Sequence, residues 1–309
     1  MDGNKCKITW DQATMLFEEY LTLQRGLSQN SVSAYLLDLQ KLITFMEVMG
    51  YECGPEGVTH EMMCECLSFF SVNGIGERTQ IRVVSGIKSF FKFLMVEEFI
   101  DVDPTELLEV PKVSRKLPDV LTLEEINDMV LSIDMSTNEG VRNRAILETL
   151  YCCGLRVTEL CKLKVSNMYF ESGYIKIEGK GSKERLVPIS SIAIKSINTY
   201  LFAMRDKLKI KPGNEDYLFL NRRGAPLSRV MVFNIVKEAA EAAGIKKSVS
   251  PHTFRHSFAT HLLCGGANLK AVQDMLGHES IVTTEIYTHL DMTYLKETLE
   301  KYHPMSKYK

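Results

Sequence analysis

The sequence predicts a mostly α-helical protein of two domains: an all-helical first domain, and an α+β second domain with a small antiparallel sheet. Its 309 residues suit two domains better than one. Three of the nine prolines fall in one polar stretch, at Pro104, Pro111 and Pro118. Apolar residues recur at helical spacing through most of the chain, and strand-like alternation is confined to a few short segments in its second half.

The first predicted domain spans residues 1–103 and contains only helices. Apolar residues recur at i, i+3, i+4 and i+7 in four segments, residues 10–25, 31–49, 60–72 and 77–98. The three prolines then predict an extended linker over residues 104–119, because proline disfavours helical geometry in the residue before it.

The second predicted domain spans residues 120–309. Thr122 and Glu125 have the spacing of a capping box, in which each side chain accepts a hydrogen bond from the other residue's backbone, and they predict a helix start. The segment Gly179–Ser182 predicts a hairpin turn between two strands. The predicted elements after the first helix, in chain order, are a helix over 140–152, strands at 174–178 and 185–189, a third short strand at 217–220, and helices from 228 onward.

Charge is distributed unevenly between the two halves. The whole chain has a net charge of −2, but residues 1–112 hold 9 Lys/Arg against 17 Asp/Glu, a net −8. Residues 113–309 hold 28 basic and 22 acidic side chains, a net +6. Such asymmetry indicates a nucleic-acid or other acidic partner, or simply two solvated surfaces of different charge.

Several protein classes are excluded by the sequence. No apolar run approaches the roughly 18 residues that span a bilayer, and the first residues, MDGNKCK, lack the apolar segment of a secretory signal. The eight cysteines form no paired CxxC set for zinc, and we expect them all to be reduced. These observations predict a cytoplasmic protein that does not bind a membrane.

The segment 77–98 carries a cationic helix face in an otherwise acidic domain. Four of the nine basic residues within residues 1–112 recur there at helical spacing, namely Arg78, Arg82, Lys88 and Lys92. A cationic face with interspersed serines can follow a phosphate backbone or enter a major groove, so these residues are candidate DNA contacts. A plain solvated face is the alternative.

The stretch from Ser250 to Arg255 predicts an anion site at a helix start. A serine followed by proline is typical of the first positions of a helix. His252 and Arg255 are three residues apart and share one face of the first turn, where free backbone N–H groups attract anions. A zinc site at His256 and His261 is disfavoured, because neither the expected glutamate nor further ligands accompany them.

Arg156 and Lys180 are two further candidate cations. Gly154 ends one predicted helix and Arg156 starts the next, with Glu159 placed to hold the arginine by a salt bridge. Lys180 lies at the hairpin tip between two glycines. A Walker-type ATP loop is disfavoured, because Tyr174 stands where its first glycine is required.

His278 and Tyr287 complete the candidate set. His278 follows Gly277, a favourable residue for ending a helix, and Tyr287 lies nine residues further on. Together the candidates are two arginines, a lysine, two histidines and a tyrosine, without clustered carboxylates. Magnesium-dependent phosphoryl transfer needs acidic ligands, so this set favours phosphodiester chemistry in which guanidinium groups replace the metal ion.

The candidate residues and their surroundings resemble the tyrosine recombinases, also called the phage integrase family. The six candidates stand in the order of that family's catalytic residues: Arg156, Lys180, His252, Arg255, His278 and Tyr287. The strings YCCGLRVTEL, GKGSKERLVP, PHTFRHSFATHLL and MLGHESIVTTEIYTH are similar to its motifs. The resemblance covers nearly the whole chain and is closest to the compact Xer-type recombinases that resolve chromosome dimers. It implies that the first domain is a SAM-like core-binding domain that clamps DNA.

The resemblance also implies a reaction on duplex DNA. Tyr287 would attack the scissile phosphate, form a 3′-phosphotyrosine and release a 5′-hydroxyl, without a metal ion or cofactor. Arg156 and Arg255 would hold the non-bridging oxygens of that phosphate.

Four more residues receive roles from the same resemblance. His252 would act as acid and base, Lys180 would protonate the leaving 5′ oxygen, and His278 would donate a hydrogen bond to the phosphate. Glu159 would give structural support by orienting Arg156.

Assembly with DNA and with other subunits is implied as well. Four protomers, identical or including a related recombinase, would exchange strands through a Holliday junction, and the tail from Met292 to Lys309 would be donated to a neighbouring subunit. A DNA translocase at the division septum is a further implied partner. Three other interpretations stay open: an integrase or resolvase of a mobile element, a type IB topoisomerase, and a DNA-binding regulator without catalysis.

Overall fold

A computed structural model describes residues 8–109, 119–179, 184–277 and 289–307; within these, residues 289–293, 306 and 307 are described by their backbone alone. The chain divides into two compact units, residues 1–116 and 117–309, and each is described by itself. The predicted limits of the domains and of the linker stay predictions.

The described residues of the first unit form a bundle of four α-helices. Its helices are α1 (Trp10–Glu19), continued by a π-helical turn (Tyr20–Gln24), α2 (Gln29–Met49), α3 (His60–Val72) and α4 (Glu77–Val96), with a 3₁₀ turn at Pro55–Gly57. Phe17, Phe45, Phe70 and Phe90 are all at most 1% exposed and form the centre of its core. Burying an aromatic side chain contributes about 1.5–3 kcal/mol, so these rings hold the helices together.

The first residues of the predicted linker pack against this bundle. Residues 104–107 form a turn, and Leu108 is 4% exposed within the core of the first unit. Residues 110–118 lie outside the described residues.

The second unit is built around α6, which is surrounded by other elements. Its elements are α5 (Leu123–Leu131), α6 (Asn138–Cys153), α7 (Val157–Cys161), β1 (Met168–Tyr169), β2 (Tyr174–Glu178), β3 (Glu184–Pro188), α8 (Ser191–Ala203), α9 (Arg229–Ala242), α10 (Pro251–Gly265), α11 (Leu269–Leu276) and α12 (His289–Tyr302), with 3₁₀ turns at Val165–Asn167, Arg205–Lys207 and Pro304–Lys307. All residues from 145 to 153 are buried, which is typical of a helix in the middle of a core.

The helix starts follow local sequence signals. Thr122 and Glu125 form the predicted capping box: the Thr122 hydroxyl accepts from Glu125 N at 3.2 Å, and the Glu125 carboxylate accepts from Thr122 N at 2.7 Å. At the start of α10, the Ser250 side chain accepts from Thr253 N while Pro251 occupies the first turn. Both predicted helix starts are confirmed.

The sheet is antiparallel, in the order β1–β2–β3, with Ile177 opposite Arg185 in the register of β2 and β3. The predicted fold class, mostly helical with a small antiparallel sheet, is confirmed. The hairpin tip at residues 180–183 lies outside the described residues.

The prediction of a third strand at residues 217–220 is wrong. The third strand is β1, and the 217–220 segment makes only isolated bridges, Lys164 with Tyr217 and Leu220 with Pro226. The buried Arg205 side chain donates to the carbonyls of Tyr217 and Leu218, so a side chain occupies two of the backbone acceptors that a ladder would use.

Among the described residues, no helix is long and apolar enough to cross a membrane. The seven cysteines in the same part of the chain are all free.

Candidate active site

Arg156 lies where α6 gives way to α7. Gly154 ends α6 in the left-handed region, at φ 57°, and a Cβ there would lie 2.5 Å from the Phe258 ring, so glycine is required by both backbone and space. Arg156 follows in extended geometry and starts α7. The Glu159 carboxylate accepts from Arg156 N at 2.8 Å and from Arg156 Nη1 at 2.8 Å. The expected ion pair is therefore present.

Arg255 projects from the first turns of α10 into the protein. Its side chain is 7% exposed, and it donates from Nη1 to the carbonyl of Gly154 at 2.8 Å and from Nη2 to that of Leu276 at 2.6 Å. Burial, with repulsion from Arg156, lowers the pKa of Arg255 to about 10. The guanidinium remains positively charged at neutral pH.

Three arginines converge on the carboxyl end of α11. The carbonyls of residues 275, 276 and 277 accept from Arg185 Nε at 3.2 Å, Arg255 Nη2 at 2.6 Å and Arg156 Nη2 at 3.0 Å. The end of a helix has unsatisfied carbonyls and the negative end of its dipole, so it attracts cations. Gly277 closes this helix at φ 63°.

Glu159 lies buried among the same three arginines. Arg185 forms a forked pair with it at 2.8 and 3.0 Å, Arg156 Nη1 is at 2.8 Å, and Arg255 Nη1 is at 3.9 Å. Burial raises the pKa of the Glu159 carboxyl, but Arg185, and then Arg156, outweigh burial and lower it overall. One carboxylate among three guanidiniums leaves two positive charges in excess, which suits a phosphate diester.

The described residues contain three of the six expected catalytic residues. Arg156 and Arg255 are brought together through Glu159 and the end of α11. His252 is exposed on the first turn of α10, one turn from the buried Arg255. The other three expected residues, Lys180, His278 and Tyr287, lie outside the described residues.

Arg185 is the member of this cluster that the sequence analysis missed. It was included in the second predicted strand without any role. The signal was available in the sequence pattern: along β3, Arg185 alternates in phase with the buried Val187. An arginine on the buried face of a strand requires a charged partner, because an unpaired buried charge is costly.

The four candidate DNA contacts of the first unit have different surroundings in α4. Arg78 and Lys92 are exposed. Arg82 pairs with the buried carboxylate of Asp38 at 2.5 Å, and Lys88 donates to the carbonyl of Leu108 at 3.2 Å. Two of the four cations are therefore engaged within their own unit, although half of the Arg82 side chain, 51%, is exposed.

The tail packs on its own unit in the described chain. Leu295, Leu299 and Met305 are 2–5% exposed within the core of the second unit, and His303 is fully buried against the rings of Tyr151 and Phe258. Burial lowers the pKa of His303 to about 3, so the imidazole is neutral at physiological pH. Donation of the tail to a neighbour stays a prediction.

No group of three or more His, Cys, Asp or Glu side chains in the described part of the chain could hold a metal ion. His261, considered above as a zinc ligand, instead hydrogen-bonds through Nδ1 to the Tyr151 hydroxyl at 2.8 Å.

Comparison with known proteins gives consistent matches over both units. Residues 119–293 match the pattern of the phage integrase family, and residues 15–98 match the phage integrase N-terminal SAM-like domain. Tyrosine recombinase XerD of Chlorobaculum tepidum is 42% identical over 300 residues, covering 96% of this chain and 97% of the relative. The XerD of Staphylococcus haemolyticus is 39% identical and covers 94% and 98%.

Solved structures agree with these sequence matches. XerH site-specific recombinase bound to palindromic difH, in a post-cleavage complex, has a TM-score of 0.69 at 26% identity, covering 94% of this chain and 84% of that one. A lambda integrase tetramer bound to a Holliday junction has a TM-score of 0.69 at 20% identity, covering 88% and 78%, and supports the fold alone.

Proposed function

We propose, because this chain belongs to the phage integrase family of tyrosine recombinases, that it resolves chromosome dimers by recombination at a specific DNA site. Family membership makes it a site-specific recombinase, an enzyme that cleaves and rejoins DNA. The proposal concerns its chromosomal role and the residues that perform the reaction. The observation that carries the assignment of the catalytic residues is the cluster of Arg156, Arg185 and Arg255 around the buried Glu159.

Arg156 and Arg255 are proposed to hold the scissile phosphate. Their guanidiniums are fixed by backbone carbonyls before any substrate arrives. Charge that develops on the phosphate oxygens therefore meets positive groups that need no reorganisation, which is the main source of electrostatic catalysis. The side chain of Arg156 is 41% exposed and can be reached from solvent.

The covalent step is assigned to Tyr287. Its oxygen would bond to phosphorus while the 5′ oxygen leaves with its electron pair, and the proton from Lys180 would complete the 5′-hydroxyl. Tyrosine has a pKa near 10, so the hydroxyl needs a base to lose its proton at neutral pH, and His252 is the proposed base. His278 would donate to a phosphate oxygen. The reverse attack by a different 5′-hydroxyl rejoins the strands without ATP.

The chromosomal role and the partners are carried over from relatives. The XerD proteins support dimer resolution, and the XerH–difH complex supports cleavage of a duplex site. We propose a tetramer with itself or a related recombinase, assembled on a Holliday junction through the tail 292–309. Activation by a DNA translocase at the division septum, and a cytoplasmic location, complete the proposal.

The test is covalent trapping on nicked duplex DNA that carries the recombination site. The site is first recovered by sequencing DNA bound in cells by Tyr287→Phe, which should bind DNA but form no covalent complex. Peptide mapping of the wild-type adduct should place the phosphotyrosine at residue 287. Mapping to Tyr294, Tyr302 or Tyr308 would overturn the assignment.

Two further measurements separate the rival functions. Recombination between two sites should exceed relaxation of supercoiled DNA, whereas a type IB topoisomerase would relax DNA without exchange. Recovery of a single chromosomal site outside any mobile element supports dimer resolution. Recovery of the ends of a mobile element would instead make the chain that element's integrase or resolvase.

A further inference from the structure

Arg185 points from β3 into the interior of the second unit. The whole residue is 7% exposed, and along β3 it shares the buried face with Val187. Its nitrogens face protein groups, so it is not placed to contact DNA. A guanidinium this deeply buried persists only where its partners compensate for lost hydration.

The partners of Arg185 come from two distant parts of the sequence. Nη1 and Nη2 form a fork on the two oxygens of Glu159, at 2.8 and 3.0 Å, and Nε donates to the carbonyl of Met275 at 3.2 Å. One side chain therefore ties β3 to α7 and to the carboxyl end of α11. A Cβ on Gly277 would lie 2.9 Å from Arg185 Cδ, so the glycine leaves room for this contact.

The forked pair of Arg185 with Glu159 determines which contacts with the carboxylate are left for the Arg156 side chain. Both arginines share Glu159 Oε1, but the side chain of Arg156 reaches the carboxylate through Nη1 alone, while its backbone N donates to Oε2 and its side chain stays 41% exposed. A forked arginine–carboxylate pair is the stronger geometry, because two parallel hydrogen bonds act together. Because Arg185 engages both carboxylate oxygens of Glu159, the guanidinium of Arg156 cannot form a second forked pair with them.

Without Arg185, the same carboxylate would become a competitor of DNA. Glu159 would remain buried, and its nearest replacement cations would be Arg156 at 2.8 Å and Arg255 at 3.9 Å. Either guanidinium, once captured in a fork, would be turned away from a phosphate.

We propose that Arg185 is a positioning residue for DNA cleavage: it fills the fork of Glu159 and thereby keeps Arg156 and Arg255 available to the scissile phosphate. The proposal rests on the proposed function, since it assumes that those two arginines bind that phosphate. It predicts that loss of Arg185 affects the chemical step and leaves DNA affinity unchanged.

The experiment measures single-turnover formation of the covalent complex on the nicked duplex, as a function of DNA concentration. Arg185→Gln should lower the rate at saturating DNA by about 100-fold, because a displaced catalytic group costs a factor of that order. The half-saturating DNA concentration should stay that of the wild type. The cleavage rate of Arg185→Lys should lie between those of the wild type and Arg185→Gln, since an ammonium keeps the charge but cannot form the fork.

Arg205→Lys is the matched control for simple destabilisation. Arg205 is 8% exposed, close to the 7% of Arg185, and donates to the carbonyls of Glu215, Tyr217 and Leu218, away from Glu159. With all variants assayed below their melting temperatures, this control should lower the Tm and keep the wild-type cleavage rate. A rate loss in Arg205→Lys equal to that in Arg185→Gln would overturn the positioning role.

The double variant Arg185→Gln/Glu159→Gln tests directly whether the Glu159 carboxylate captures Arg156 or Arg255 when Arg185 is absent. A neutral amide cannot draw in a guanidinium as a carboxylate does, so the double variant should cleave at least as fast as Arg185→Gln. The proposal would be contradicted if the fold-losses of cleavage rate in the two single variants multiplied in the double variant. An equal loss of rate and DNA affinity in Arg185→Gln would also contradict it. If the wild type itself forms no covalent complex, the proposed function fails. If the wild type forms the complex and Arg185→Gln forms it at the same rate, the positioning role alone fails.

Discussion

In the first unit Arg82 keeps 51% of its side chain exposed while it pairs with Asp38, whereas in the second unit Arg185 and Arg255 keep 8% and 7% exposed. The second pair of side chains donates to backbone carbonyls, Arg185 to Met275 and Arg255 to Gly154 and Leu276, whereas Arg82 pairs with the carboxylate of Asp38. The same residue type thus has two uses. Exposed cations contribute long-range attraction that salt weakens, while buried ones provide charge in a fixed position.

The largest expected difference between the two regions is in catalysis. Arg255→Ala should raise the barrier to DNA cleavage by about 3–4 kcal/mol, the cost of losing one pre-positioned donor, and leave site binding largely intact. Rates of covalent-complex formation and gel-shift affinities measure the two quantities. Equal loss of binding and cleavage would mean that Arg255 is a plain DNA contact like those expected on α4.

The next effect is on stability and concerns the Glu159 carboxylate, which Arg156 and Arg185 both contact. Glu159→Gln should lower the free energy of unfolding by about 2–3 kcal/mol at pH 7, because charged hydrogen bonds to two arginines are lost. Chemical denaturation of both proteins measures the difference.

The same variant has a pH signature with a defined sign. The folded pKa of Glu159 lies below its ordinary value of 4.5, so its contribution is fully present above that pH and is lost as the pH falls through the folded pKa. The stability gap between wild type and Glu159→Gln should therefore narrow below about pH 4.5. A constant gap down to acid pH would show that the carboxylate charge is not what stabilises the cluster.

The smallest expected effect belongs to the exposed cations of α4. Arg78→Ala and Lys92→Ala should each reduce the salt dependence of DNA binding by about one unit of log–log slope, with changes in unfolding free energy within about 0.5 kcal/mol. Titrations at several salt concentrations measure the slope. Arg82→Ala is the contrasting variant, since it also leaves the buried Asp38 without its closest partner and should lower the Tm. An unchanged slope in Arg78→Ala and Lys92→Ala would remove α4 from the DNA-binding surface.

Local signals in the sequence were sufficient for much of the fold and part of the site. The serine and proline at 250 and 251 placed α10, Gly154 and Gly277 placed two helix ends, and the i, i+3 spacing placed Glu159 beside Arg156. Each of these depends on residues within one helical turn. Such contacts can be inferred without knowledge of the tertiary structure.

Contacts between distant segments could not be inferred in this way. Arg185 is 26 residues from Glu159 and 90 from Met275, so its role becomes visible only when β3, α7 and α11 are packed together. The third strand was misplaced for a similar reason. The buried Arg205 donates to the carbonyls of 217 and 218, and the apolar composition of the segment 217–220 does not reveal that competition.

The buried tail has a thermodynamic consequence for any assembly of identical subunits. Leu295, Leu299, His303 and Met305 fill a socket in their own unit, and every copy of the chain carries the same socket. Moving a tail from its own socket to that of a neighbour would exchange identical contacts, so the core energy would be nearly unchanged. Such a domain swap would then be governed by local subunit concentration, and subunits held side by side on one DNA molecule meet that condition.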